Sequence, residues 1–132
     1  MTQLQTFTAL SAVWISIAWL PYILDRLLVR GLMPALANYS PDAKPQSAWA
    51  QRAIRAHTVA IETFVPFAAL SVLAMMLRPE DNYPGILAMT YFIGIFAHYW
   101  IYLLGIPVLR TLAFSVASLS TLALGLRVLG VI

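Results

Sequence analysis

The chain of 132 residues is 61% hydrophobic and only 10% charged, with a mean hydropathy of +0.82. A soluble domain carries about 25% charged residues, so this composition excludes a soluble domain and predicts an all-α integral membrane protein. The net charge of +3, from eight Lys/Arg against five Asp/Glu, bears on membrane topology before it bears on any polyanion, and no nucleic-acid partner is expected.

No cysteine is present, which removes disulfides, zinc–thiolate sites and a protein-thiol nucleophile. The length accommodates about four spans of ~20 residues with short connections. A bundle that small has little interior of its own, so oligomerisation is expected.

The first span is predicted over residues 4–28 and carries Trp14, Trp19 and Tyr22. Pro21 predicts a kink within it, because proline removes one backbone hydrogen bond and clashes with the preceding turn. Ala35-Leu36-Ala37 has the look of a signal-peptidase site, but no Lys or Arg precedes the apolar run whereas Arg26 and Arg30 follow it. A cleaved signal peptide wants the reverse order, so the segment is read as a membrane helix. Residues 31–48 form the one long polar connection, with Pro34, Pro41 and Pro45 and a Ser40-Pro41-Asp42 turn signal.

The second span is predicted over 49–77 and exceeds the ~20 residues a bilayer needs, so its first two turns project out of the hydrocarbon. Pro66 predicts a second kink, and Arg78-Pro79-Glu80-Asp81-Asn82 a short polar turn. The third span is predicted over 83–104, with Pro84 suited to its first turn. Gly105-Ile106-Pro107 breaks the helix, and the fourth span, over 107–131, is rich in the small residues that permit close helix packing. Counting bases sets the orientation. Arg26, Arg30, Lys44, Arg52, Arg55 and Arg110 lie on the side of the first and third connections, with only Arg78 and Arg127 on the other. The long connection is therefore expected in the cytoplasm and both termini outside.

Three polar clusters converge on that same level. The second span contributes Arg52, Arg55, His57 and Glu62, of which Arg52, Arg55, Val59 and Glu62 share one helical face. The third span contributes Tyr91, His98 and Tyr102 on one face, with Tyr99 beside them, and the turn into the fourth contributes Arg110 and Thr111. Ionisable groups at membrane depth cost roughly 2.5–3.5 kcal/mol each on the mildest scales, so they normally face an interior and mark function. Each group also has a plainer reading. Arg52 and Arg110 lie near helix ends, where basic side chains snorkel to headgroups. His57 is about 200° around the helix from Arg55 and is better read as a structural hydrogen-bonding residue. Tyr99, Trp100 and Tyr102 suit an interfacial aromatic belt. Glu62 resists such a reading: an unpaired carboxylate among apolar neighbours protonates or finds a cation, here an Arg of a neighbouring helix or subunit. There is no glycine-rich phosphate loop and no Ser/His/Asp order at a workable depth. His57, His98 and Glu62 make at most a speculative metal site, and none is expected.

Arg55-Ala56-His57 followed by Glu62, then His98 and Tyr102, then Gly105-Ile106-Pro107-Val108-Leu109-Arg110-Thr111, within four spans, resembles the MAPEG family (membrane-associated proteins in eicosanoid and glutathione metabolism). The resemblance covers most of the chain. It implies a homotrimer of four-helix subunits with sites between neighbours at the cytoplasmic level. It further implies that Arg52, Arg55, Glu62, His98 and Thr111 hold glutathione as cosubstrate, and that Arg110 and Tyr102 activate its thiol. An apolar groove would hold a hydrophobic small molecule or lipid drawn from the bilayer. One position departs from the pattern. Glutathione-using members typically carry Asn where this chain has Val59, which can neither donate nor accept a side-chain hydrogen bond. The family also includes a non-catalytic lipid-binding protein. Two functions therefore stand side by side: a glutathione-dependent transferase or peroxidase, and a lipid-binding or scaffolding protein. A small transporter subunit ranks below both, because the outer halves of the second and fourth spans offer mostly Ser and Thr.

Overall fold

One proline shapes the first span. In the computed structural model, which describes residues 1–132, α1 (Gln3–Ile17) begins on a capping box between Thr2 and Gln5. It stops four residues before Pro21, and α2 (Leu20–Arg30) continues the span. Pro21 has no N–H to return to the preceding turn, and around the break the carbonyls of Ile15, Ser16 and Ala18 have no helical donor. Side chains take the donors' place. His57 Nε2 donates to Ile15 O (2.8 Å), Trp19 Nε1 to Ser16 O (2.7 Å) and Tyr99 Oη to Ala18 O (2.7 Å). Unsatisfied backbone groups are costly in hydrocarbon, so these three donors let the break persist at depth.

Gly31, at a φ of +81°, ends α2 and starts the short α3 (Leu32–Leu36). An irregular stretch then leads to α4 (Ala48–Leu77), α5 (Tyr83–Leu103) and α6 (Pro107–Val128). Four stretches, Gln3–Arg30, Ala48–Leu77, Tyr83–Leu103 and Pro107–Val128, are long and apolar enough to cross a membrane. Pro66 lies inside α4, which is helical on both sides of it. The fourth helix ends at Val128 rather than at 131, because Gly130 adopts a φ of +76° and its N–H turns back to Arg127 O.

Packing is close because the contact residues are small. Ala50, Ala53, Ala56 and Ala60 form a fully buried stripe on α4. On α5, a Cβ added at Gly94 would lie 2.9 Å from Ala117 N and 3.1 Å from Ala113 O of α6, so only glycine fits between these two helices. Phe67 stacks on Tyr91 at 3.8 Å, and Tyr91 Oη hydrogen-bonds Thr63 Oγ1 (3.0 Å). Tyr91 is therefore a core residue, despite sharing a helical face with His98 and Tyr102. α5 is the central helix, with 39% of its apolar stretch buried against 11% for the first span. Only 26 of 132 residues are buried in all, which leaves wide apolar faces to lipid or to further subunits.

Each end of the bundle carries a tie. Asp25 of α2 accepts from Ser47 N (3.1 Å), Ser47 Oγ and Gln46 Nε2 (3.3 Å), placing a buried carboxylate at the start of α4, where the helix dipole favours it. At the opposite end Arg127 Nε donates to Asp81 Oδ2 at 2.6 Å, the one ion pair in the chain. That hydrogen bond holds the Asp81 carboxyl below the ordinary carboxylate range against the opposing effect of desolvation. The N–H of Tyr83 and the charges of Arg127 and Arg78 act in the same direction as the hydrogen bond.

Candidate functional site at the end of the bundle that carries the long connection

The last turn of α5 and the first turn of α6 meet across the Gly105 turn, and this brings Tyr102 and Arg110 together. The Arg110 guanidinium carbon lies 4.1 Å from the centre of the Tyr102 ring. A cation–π contact of this kind is worth about 0.5–2 kcal/mol and fixes the direction of a long side chain. Arg110 has no carboxylate partner in the chain. One turn back on α5, His98 stands edge-on to Tyr102 with ring centres 5.6 Å apart, and Phe114 of α6 closes the other side at 6.1 Å. His98 is 4% exposed and its Nδ1 has no hydrogen-bond partner. Buried polar atoms are normally paired, so this nitrogen is a group with hydrogen-bonding capacity to spare.

Two adjoining pockets share Tyr102 and Arg110. One, of about 190 Å³, is lined by Val59, His98, Tyr102, Arg110, Thr111 and Phe114. The other, of about 180 Å³, is lined by Arg52, Tyr102, Gly105, Pro107 and Arg110. Arg52 has a structural duty as well, its Nε donating to Leu103 O (3.0 Å) at the end of α5, where a positive charge suits the helix dipole. Gly105 permits this arrangement twice over: its φ of +80° makes the turn, and a Cβ there would lie 3.3 Å from Arg52 Cζ. Thr111 Oγ1 donates within α6 to Pro107 O (3.2 Å) and still lines the pocket.

The face of α4 predicted to carry Arg52, Arg55, Val59 and Glu62 divides in the folded chain. Arg52 and Val59 turn to the pockets, while Arg55 and Glu62, about 60° further round, are exposed and make no hydrogen bond or ion pair within the chain. No neighbouring helix of the same subunit supplies the cation expected for Glu62. Tyr99 is likewise no part of an interfacial belt, being fully buried and bonded to Ala18 O. His57 is held between Tyr22 Oη (2.7 Å at Nδ1) and Ile15 O at Nε2. A carbonyl only accepts, so Nε2 carries the proton and Nδ1 accepts from Tyr22. Two residues, Phe114 and Asp25, carry no role in the sequence reading, and Tyr22 is noted there only as an aromatic of the first span. Phe114 could have been found one helical turn beyond Arg110, and Asp25 as a lone carboxylate in an apolar run. Tyr22, the partner of His57, carried no local signal.

Fold and pocket together define a multi-span helical membrane protein with an aromatic-lined basic site near the end of its α5–α6 hairpin. The MAPEG family model matches residues 6–130. The chain belongs to the MAPEG family, which includes glutathione transferases and peroxidases as well as non-catalytic members. Comparison with curated proteins gives no match.

Proposed function

We propose that the protein is a glutathione-dependent transferase or peroxidase acting on hydrophobic electrophiles or lipid hydroperoxides dissolved in the membrane. The observation that carries this reading is Arg110, fixed over Tyr102 with no carboxylate of its own, in a pocket that His98 and Thr111 also line. Glutathione brings two carboxylates, an amine and a thiol. Guanidinium groups suit carboxylates and thiolates, and Glu62 suits the amine.

Lowering a thiol pKa from ~8.5 to about 6.5 requires roughly 2.7 kcal/mol of preferential thiolate stabilisation. A guanidinium about 4 Å from the sulfur at an effective dielectric of about 20 is of that order. In this reading Arg110 and the Tyr102 hydroxyl stabilise the thiolate, Thr111 and His98 line its pocket, and Arg52 contributes positive charge. Arg55 and Glu62, exposed and unpaired in one subunit, complete the site against a second copy. The assembly is a homotrimer, with the long connection in the cytoplasm and the termini outside.

The test is glutathione binding to the purified, detergent-solubilised protein by calorimetry, together with ultraviolet thiolate absorbance. Saturable binding with a thiolate signal at neutral pH is expected, and no binding at millimolar glutathione overturns the proposal. A second reading, a non-catalytic lipid-binding protein, is favoured by Val59, which presents an apolar wall to the pocket where a hydrogen-bonding amide would hold glutathione.

A further inference from the structure

A larger cavity lies elsewhere on the same end of the bundle, between α2, the connection and the first turns of α4. Its volume is about 660 Å³. On α4 it is lined by Gln51 and Ile54, about 120° around the helix from Arg52 and Val59, so it opens away from the Tyr102–Arg110 pockets. Two arginines one helical turn apart, Arg26 and Arg30, form its basic wall. Each is anchored through Nε alone, Arg26 to Gln46 Oε1 (3.1 Å) and Arg30 to Lys44 O (2.7 Å). Their Nη nitrogens make no hydrogen bond in the chain, and neither guanidinium forms an ion pair. Asp25, the nearest carboxylate in sequence, is spent on Ser47 and Gln46. Asp42, in the connection, pairs with neither arginine.

The surroundings say what kind of anion fits. α3 turns Pro34 and Ala35 to the cavity and leaves Leu32, Met33 and Leu36 exposed, with Leu28 of α2 87% exposed beside them. These apolar side chains stand on the faces of α2 and α3 turned away from the cavity. The cavity itself is therefore basic and polar, and it opens at the end of a membrane span, where the abundant anion is the phosphate of a lipid headgroup. A fork of guanidinium donors is the usual partner of a phosphate. We propose that Arg26 and Arg30 bind the phosphate of an anionic phospholipid of the leaflet at this end of the bundle. The site serves to hold the connection against the membrane surface and does not depend on any reading of the Tyr102–Arg110 pockets.

The test is native mass spectrometry of protein purified in detergent and equilibrated with an equal mixture of phosphatidylglycerol and phosphatidylcholine. The wild-type chain is expected to retain phosphatidylglycerol selectively. The double variant R26Q/R30Q is expected to lose that retention by about tenfold, the scale of losing charge-assisted hydrogen bonds. R78Q, at the opposite end of the bundle, is expected to keep it, with circular dichroism melting of each variant establishing that it is folded. Equal retention of the two lipids by the wild-type chain overturns the proposal without recourse to any variant. So does undiminished retention by folded R26Q/R30Q, or an equal loss in R78Q. Displacement of the lipid by inorganic phosphate would make the cavity a free-anion site, and displacement by glutathione would make it part of a glutathione site; either result also overturns it.

Discussion

The guanidinium of Arg110 and the ring of Tyr102 lie 4.1 Å apart, across the left-handed turn at Gly105. The contact joins a charge that can stabilise an anion to a hydroxyl that can hydrogen-bond one, on two helices whose relative position is set by Gly94. It makes the first prediction direct. Arg110→Ala should return a bound thiol from about pKa 6.5 toward ~8.5, reducing the thiolate fraction at neutral pH about 25-fold. Conjugation of a chromogenic hydrophobic electrophile should fall by that factor, while the assembly seen in size-exclusion chromatography is unchanged. Unaltered turnover would remove Arg110 from the proposed role.

Val59→Asn tests the other side of the same pocket. An amide there can bond a polar ligand that valine cannot, worth about 1 kcal/mol, or roughly fivefold in affinity. Calorimetry should show tighter glutathione binding in this variant. Equal affinity would mean that Val59, although it lines the pocket, does not touch the bound molecule.

Tyr99→Phe addresses the proline break. It leaves the Ala18 carbonyl, buried at the break, without its donor. The expected loss is about 1–3 kcal/mol, read as a lowered melting temperature in detergent. Glutathione binding by the folded variant should be unaffected, because Tyr99 lines neither pocket shared by Tyr102 and Arg110.

Gly94→Val should be strongly damaging. Its first added carbon alone would lie 2.9 Å from the backbone of Ala117, and backbone on backbone has no rotamer to yield. Forced repacking costs typically 1–3 kcal/mol or more. It should also shift α6, and with it Arg110. Melting temperature and glutathione affinity are expected to fall together.

The Asp81–Arg127 pair gives a pH prediction. Its carboxyl is depressed in the folded protein by the Arg127 hydrogen bond, so the pair contributes stability that is fully present above the ordinary aspartate value of about 3.9. That contribution is lost as pH falls through the lower, folded-state value. Melting temperatures of the wild-type chain and Asp81→Asn should therefore differ at neutral pH and converge in acid. A gap that persists in strong acid would assign the difference to something other than the carboxylate charge.

Much of this protein is written locally. The four spans follow from composition and length, since ~20 apolar residues cross a bilayer wherever they occur. Pro21 marks where the first of them weakens, although Pro66 lies inside an uninterrupted α4 and the break at Pro21 is held by His57 and Tyr99. Tyr102 and Arg110 were legible as neighbours because only a few residues join α5 to α6. The division of one helical face was not legible: Arg52 and Val59 turn inward and Arg55 and Glu62 outward according to where α5 and α6 pack, and a 3–4–3 spacing is blind to that. Nor was the fate of the tyrosines, with Tyr91 stacked on Phe67 in the core and Tyr99 bonded to Ala18 across 81 residues of sequence. The same holds for Asp25, whose partners at Gln46 and Ser47 lie beyond an irregular connection. Helix formation and membrane insertion depend on runs of neighbouring residues, so sequence alone determined the spans. The partners of a buried donor, acceptor or charge depend on which distant backbone group the fold leaves unpaired, and only the tertiary structure decided that.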